Sequence, residues 1–328
     1  MRIGENPEKS KGLCNELKWH RVIVVFYIPN LTEDYYKEAL IILDKSLQSL
    51  VDSVNFKYTA ITLINNNSCN QVNELIKEKY IEKIDKYVHY SENKGKVYAV
   101  INEARAVYEP FVTITDSDVL FLKGWDSAIF DIYENFPDVA VVSPMPSQYL
   151  TFYNNESTIG SNFLFNRIKF GKYVQDVDVD LYIKGTNLPE LINRPRHNTD
   201  WKQKQYVLKK NNVIAVIGAY HITATYRSAI FKNFFDYPFY KFKNSYEELF
   251  IDSLANRMGF WRLSTNTTFV YHMGNRIDEN VEILENKKTD VGSYSDFSKL
   301  VAFKKKSLLS IFFRRIIGKI AIKYYYKK

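Results

Sequence analysis

Cysteine is nearly absent from this 328-residue chain. Cys14 and Cys69 are too few for a disulfide framework, and no C-x-x-C or Cys/His spacing offers a zinc site, so a reducing compartment is expected. Long apolar runs are missing as well. Without an uninterrupted stretch of about eighteen apolar residues, no segment is expected to span a bilayer. The opening MRIGENPEKSKGLCNELKW lacks an apolar centre and reads as neither a signal peptide nor an anchor. Acidic charge is missing from one place. Of the 45 Lys and Arg, nine lie within 304–328 with no Asp or Glu among them, so the remainder, which holds all 37 acids, is within one charge of neutral. The net charge of +8 therefore belongs to a tail. A near-neutral body argues against a fold that grips nucleic acid along its surface.

What is present supports a large folded domain. Hydrophobic residues make up 46% of the chain, with 25 Tyr and 22 Phe, enough for one α/β domain with appendages and an aromatic core. From Arg21 onward, short apolar runs alternate with longer amphipathic stretches, the pattern of βα units around a largely parallel sheet. Residues 22–28 predict the first strand. Asn30 or Thr32 is placed to cap a helix to about Val51, along which Leu40, Leu43, Leu47 and Leu50 recur at helical spacing. Residues 57–64 predict a second strand, ending in Asn65-Asn66-Asn67-Ser68 and a helix from about Gln71. A third strand at 87–90 leads through Glu92-Asn93-Lys94-Gly95 into a helix to about Val107, and 111–115 is the fourth. The polar segment 144–212 reads either as an acceptor-binding insertion or as a solvated excursion; it holds Asp176, Asp178, Asp180 and the Arg194-Pro195-Arg196-His197 cluster. Beyond it, 213–217 predicts a strand, 247–258 a helix, and 268–271 a strand ending at His272.

The fourth strand delivers Asp116 and Asp118 one residue apart. Carboxylates so placed at a strand end can direct their oxygens into one small volume, where a hard divalent ion such as Mg²⁺ or Mn²⁺ shares oxygen ligands with phosphate. Ligands of open α/β sheets collect outside the carboxyl ends of the strands, and this pair lies at such an end. The competing reading is a solvated turn whose Asp caps the helix near Trp125.

From about 21 to 274, apart from most of 144–212, the residues resemble the family 2 glycosyltransferases of the GT-A fold. The resemblance rests on Ile28-Pro29, Asn66-Asn67-Ser68, Asn93-Lys94-Gly95, TDSDVLFLKGW, YEELFIDSLANRMGF and FVYHMG, in that order. It implies a Rossmann-like open mixed sheet flanked by helices, a nucleotide-sugar donor that is usually UDP-linked, and Mn²⁺ or Mg²⁺ on the second Asp of the D-x-D. Carried over, Asp118 is a metal ligand, Asp116 and Ser117 adjoin the donor ribose or sugar, and Pro29, Asn66, Asn93 and Gly95 line the donor site. Asn66 stands where an acidic residue is common, which leaves the nucleobase preference open. His272 matches a histidine that completes the metal or diphosphate contacts; the alternative is an ordinary surface or core histidine. Arg227 matches a basic position that meets either the diphosphate or a surface acid.

Inverting transfer needs a carboxylate to take the acceptor hydroxyl proton. Where the resemblance implies a Glu-Asp pair, this chain has Glu247-Glu248. Glu248 is the first candidate, with Glu247 and Asp252 as competitors, and an acidic first helical turn favoured by the helix dipole is the alternative.

The remaining segments are a 1–20 extension, a 276–303 linker and a 304–328 tail around the 21–275 domain. In the tail, Arg315, Lys319, Lys323 and Lys327 recur four apart beside a stripe of Leu308, Phe312, Ile316 and Ile320. A C-terminal amphipathic helix of this kind lies on an anionic membrane surface, or else docks on its own domain or a partner. The expected activity is an inverting, metal-dependent hexosyltransferase at the cytoplasmic face of the cell membrane, acting on a saccharide or glycolipid acceptor in cell-surface polysaccharide or glycolipid synthesis. A non-catalytic sugar- or membrane-binding module and a nucleotidyltransferase are the alternatives. The latter normally has a Gly-rich basic phosphate loop after its first strand, and IPNLTEDYY is neither Gly-rich nor basic.

Overall fold

The computed structural model describes residues 3–7, 18–186, 200–232, 247–286 and 292–325, with the backbone but not the side chains of Glu248 and Tyr325. Cys14, the 194–197 cluster and the Glu248 carboxylate lie outside what is described.

Among these residues the strands are β1 (His20–Phe26), β2 (Thr59–Asn65), β3 (Lys86–His89), β4 (Phe111–Asp116), β5 (Val119–Phe121), β6 (Val139–Ser143), β7 (Ile168–Gly171), β8 (Gln205–Lys210), β9 (Val213–Ile217), β10 (Thr223–Arg227), β11 (Trp261–Thr265) and β12 (Val270–His272). Ten of them form one mixed sheet in the order β3-β2-β1-β4-β10-β6-β11-β9-β8-β7, while β12 and β5 pair as a separate antiparallel ribbon. β3, β2, β1 and β4 are mutually parallel, and β10 enters antiparallel between β4 and β6. β1 and β2, reading HRVIVVF and TAITLIN, are almost wholly buried, as parallel strands covered on both faces must be.

The covering helices are α1 (Ala39–Ser53), α2 (Asn70–Leu75), α3 (Lys96–Ala106), α4 (Trp125–Asn135), α5 (Glu156–Phe163), α6 (Asp176–Thr186), α7 (Ala229–Lys232), α8 (Ser253–Arg257), α9 (Glu279–Glu285) and α10 (Leu308–Tyr325). The α/β architecture, a large mixed sheet flanked by helices with a C-terminal helix, is the one expected. α1 begins later than Asn30 suggested. Asn30 Oδ1 accepts from the backbone N–H of Thr32 and Glu33 at 3.1 and 3.0 Å, closing a turn instead of capping α1.

Two segments are more integrated than their composition implies. The described part of 144–212 supplies α5, β7, α6 and β8, so it extends the main sheet. Its Asp178 is buried and accepts from the Thr268 backbone N–H at 2.8 Å. The expected linker carries α9, and its Tyr294 and Phe297 are buried, with rings against Phe130. The tail helix docks on the domain. A Cβ on Gly160 would lie 1.8 Å from the Arg314 carbonyl oxygen, and one on Gly318 would lie 1.9 Å from that of Glu156. Only glycine at both positions lets α5 and α10 approach so closely. Arg314 also donates to Asp138 Oδ2 at 2.9 Å. No described helix is long and apolar enough to cross a membrane.

A polar line crosses the buried sheet. The His20 ring meets Thr59 Oγ1 at 3.2 Å and Thr113 Oγ1 at 2.7 Å, and Thr113 Oγ1 meets Thr225 Oγ1 at 2.5 Å, so four strands share one hydrogen-bonded row. Burial, helped by the adjacent Arg21 charge, pushes the His20 pKa down to about 3. The unfolded chain, with an ordinary histidine, binds a proton near pH 6.5 that the native state refuses. This contribution to stability is therefore complete above pH 6.5 and is lost as pH falls toward 3, by about 1.4 kcal/mol per pH unit. Urea unfolding at pH 7.5 and 5 should show that His20→Gln has lower stability at the higher pH but a smaller loss on acidification than the parent. An equal loss in both proteins would show that His20 does not set the acid sensitivity.

Candidate active site

The carboxyl ends of β1, β2 and β4 open onto a cavity of about 220 Å³ lined by Tyr27, Asn66, Asn93, Lys96 and the Asp116-Ser117-Asp118 turn. Two loops are braced here before any ligand arrives. Asn66 Nδ2 donates to Asn93 Oδ1 at 2.8 Å, Asn66 Oδ1 accepts from the Lys94 N–H at 2.8 Å, and Asn93 Oδ1 also accepts from the Gly95 N–H at 2.9 Å. Asn66 thus holds the β3–α3 loop with both ends of its amide, a different task from the base recognition expected of that loop. Gly95 has φ of +82°, which allows the loop to turn sharply into α3. Pro29 lies beyond the end of β1, where the neighbouring Ile28 N–H donates to Ser68 Oγ at 2.9 Å; Pro29 is not among the cavity residues.

Asp118 and His272 are brought together by the β5–β12 ribbon, in which His272 is paired with Val119. His272 Nε2 lies 3.1 Å from Asp118 Oδ2, while Nδ1 faces the Gly185 carbonyl at the end of α6. Burial opposes charge on this imidazole, but the hydrogen bond and charge of Asp118, with help from the Gly185 carbonyl, raise its pKa to about 9. The backbone contact orients the ring so that Nε2 faces the carboxylate, the arrangement that also directs a histidine at a metal. Asp118 Oδ1 is buried and accepts no hydrogen bond. An orphaned carboxylate oxygen beside an oriented imidazole suits a divalent cation. Among the described residues no cluster of three or more His, Cys, Asp and Glu side chains is found, so a cation held by Asp118 and His272 would draw further oxygen ligands from phosphate or water.

Lys96, the first residue of α3, places Nζ 2.5 Å from Asp116 Oδ1 and 3.9 Å from Glu247 Oε1. Burial works against its charge, yet Asp116, Glu247 and Asp118 together raise its pKa. Lys96 is a cation within this cavity that the sequence did not single out. Its only signal was its place directly after Asn93-Lys94-Gly95.

The base candidates separate in space. Glu247 is near the cavity through Lys96. Glu248 begins a single π-helical turn, Glu248–Asp252, that runs into α8. Asp252 is only 2% exposed, and its oxygens are held by His221 Nδ1 at 2.9 Å, the Tyr153 hydroxyl at 3.2 Å and Arg262 at 3.4 Å. Burial raises its pKa, but His221, Arg262 and Tyr153 outweigh that and lower it. The structure places Asp252 as the buried partner of His221, Tyr153 and Arg262. His221 lies beside the Asp turn, because the β4–β10 register sets Thr223 against Thr115 and the Asp116 N–H donates to the Ile222 carbonyl at 2.9 Å.

Arg227 does not join the site. β10 runs antiparallel to β4, so Arg227 pairs with Phe111 at the far end of the sheet from Asp116. There its guanidinium donates to the carbonyls of Val139 and Val301 and lies over the Phe111 and Tyr133 rings. Its role is to close the base of the sheet, not to bind diphosphate.

Sequence and fold comparison place the molecule. Residues 35–235 match the profile described as Glycosyl transferase family 2, more than half of the chain, and the chain belongs to that family. No significant match to a curated protein is found. Solved structures similar in fold include the mannosyltransferase PcManGT from Pyrobaculum calidifontis in complex with GDP-Man and Mn²⁺, at 13% identity and a TM-score of 0.42, covering 77% of this chain and 56% of that one. TarS 1-349 of S. aureus is similar at 16% identity and a TM-score of 0.43, with 78% of this chain and 60% of that one covered. GalNAc-T7 with UDP, GalNAc and Mn²⁺ is similar at 11% identity and a TM-score of 0.47, with 79% and 44% covered. The chain thus spans less than two thirds of each of these proteins.

Proposed function

We propose that this protein is an inverting, metal-dependent hexosyltransferase that moves a sugar from a nucleotide-sugar, UDP-linked by preference, to a saccharide or lipid-linked acceptor at the cytoplasmic face of the cell membrane. The product is a cell-surface polysaccharide or glycolipid. The observation that carries the reading is the Asp118–His272 pair, with one carboxylate oxygen left unpartnered at the mouth of a preformed cavity.

In this reading Asp118 and His272 hold Mn²⁺ or Mg²⁺, which when bound neutralises charge developing on the departing diphosphate. Lys96 turns from Asp116 toward the donor as Asp116 engages the ribose or sugar. The braced Asn66 and Asn93 loops fix the cavity wall, so the donor pays little for ordering it. Glu248 takes the acceptor proton as the acceptor oxygen attacks the anomeric carbon from the face opposite the nucleotide. The transition state carries oxocarbenium character.

The test is a thermal shift of the purified protein against a panel of nucleoside diphosphates with and without Mn²⁺. A ligand at about 100 times its dissociation constant stabilises the native state by about 2.7 kcal/mol. Metal-dependent stabilisation by a uridine nucleotide is expected. No shift with any nucleotide would overturn the donor assignment.

A further inference from the structure

α10 carries two faces with different fates. The glycine-bearing face is buried on α5, as described, while Leu308, Phe312 and Ile320 remain exposed, Leu308 at 85% and Phe312 at 57%. The domain adds to this apolar surface. Leu164 and Phe165, just past the end of α5, are 65% and 67% exposed, and with Phe313 they line a concavity of about 400 Å³. They come from the body of the fold, far from the tail in sequence. Large apolar side chains grouped in this way on a water-soluble surface need an occupant.

The charge around the patch selects one. Lys304, Lys305, Lys319 and Lys323 are exposed on or beside α10, Arg167 lies over the Phe165 ring, and 304–328 contains no acid. A face that combines exposed Leu, Phe and Ile with exposed Lys complements a bilayer with anionic headgroups, its apolar side chains entering the headgroup–acyl boundary and its cations remaining at the phosphates.

We infer that α10 and the Leu164–Phe165 corner form one rigid membrane-binding platform, built into the domain, that seats the enzyme on an anionic lipid surface. This rests on the membrane placement proposed above and deepens it. A flexible tail would anchor the protein without orienting it. A helix locked to α5 through Gly160 and Gly318 fixes the angle between bilayer and catalytic domain, because α5 is itself tied to α8 through the Ser157 N–H, which donates to Asn256 Oδ1 at 2.8 Å. The platform is thereby rigidly connected to the helix that follows Glu248.

The test is co-sedimentation of the full chain with phosphatidylcholine vesicles, with and without phosphatidylglycerol. The parent should bind only the anionic vesicles, and less at high salt. Leu164→Ser/Phe165→Ser, which leaves the tail untouched, should lower the partition coefficient at least about tenfold, as should Leu308→Ser/Phe312→Ser. All four side chains point to solvent, so both variants should melt with the parent. Full binding by the Leu164/Phe165 variant alongside loss in the Leu308/Phe312 variant would overturn the platform in favour of a tail acting alone. No binding by the parent, or a concentration-dependent dimer that the same substitutions dissolve, would overturn the lipid partner. The donor-dependent thermal shift of the parent keeps the two readings apart: no vesicle binding by the parent with an intact shift refutes the platform only, and vesicle binding by the parent without a shift refutes the donor assignment only.

Discussion

Asp118→Ala is expected to abolish sugar transfer and, in the same protein, the metal-dependent part of donor stabilisation. Asp118 stands beside His272 in the cavity wall, and its Oδ1 accepts no hydrogen bond there. Alanine leaves His272 alone, and one imidazole does not compete with water for a hard ion already solvated by phosphate. Groups that stabilise developing charge in a shielded site are worth about two to three orders of magnitude in turnover each, and a lost metal costs more than one such group. The fold should survive, because the Asp118 carbonyl still accepts from the Met273 N–H at 2.8 Å whichever side chain is present. Steady-state transfer and nucleotide-dependent melting, each measured over a Mn²⁺ series, check the result. Metal-dependent stabilisation in Asp118→Ala equal to that of the parent would remove Asp118 as a ligand.

Glu248→Gln is expected to reduce turnover by about two to four orders of magnitude while leaving donor stabilisation near the parent value, the signature of a lost general base. Glutamine keeps the volume and the hydrogen-bonding reach but cannot take the proton. The contrast with Glu247 gives the experiment its force. Glu247 faces Lys96 across 3.9 Å, so Glu247→Gln should alter donor affinity through Lys96 more than it alters turnover. If Glu248→Gln turns over normally and Glu247→Gln does not, the roles are exchanged.

The strands that frame the site were legible because buried parallel strands must be continuous apolar runs, and β1 with its VIVVF leaves little else to infer. The Asp turn was legible because it follows such a strand. Its union with His272 was implied by resemblance alone, since a ribbon contact between residues 154 apart leaves no trace in local periodicity. Lys96 was missed for a physical reason: a lysine at a helix start reads as solvated, and nothing local shows that Asp116 and Glu247 converge on it. His221 and Asp252 went unread as a pair for the same reason. Arg227 was misplaced because the direction of β10 decides which end of the sheet it occupies, and apolar alternation is the same in either direction. The 276–303 segment looked like a linker because its anchors, Tyr294 and Phe297, are isolated aromatics without a repeating pattern.

The β5–β12 ribbon sets when a newly made molecule first acquires its site. Asp118 emerges early in synthesis, beside strands that can already pair, but its partner His272 follows 154 residues later, after the chain has supplied β10 to separate β4 from β6 and β11 to separate β6 from β9. Contacts of such long sequence separation form late, once their loop-closure cost has been met. A growing chain therefore carries its aspartates without the histidine that meets Asp118, and the pair is assembled only on a sheet that is nearly whole. Chain connectivity itself works as a timer, delaying the pairing of Asp118 with His272 until most strands of the sheet have been made.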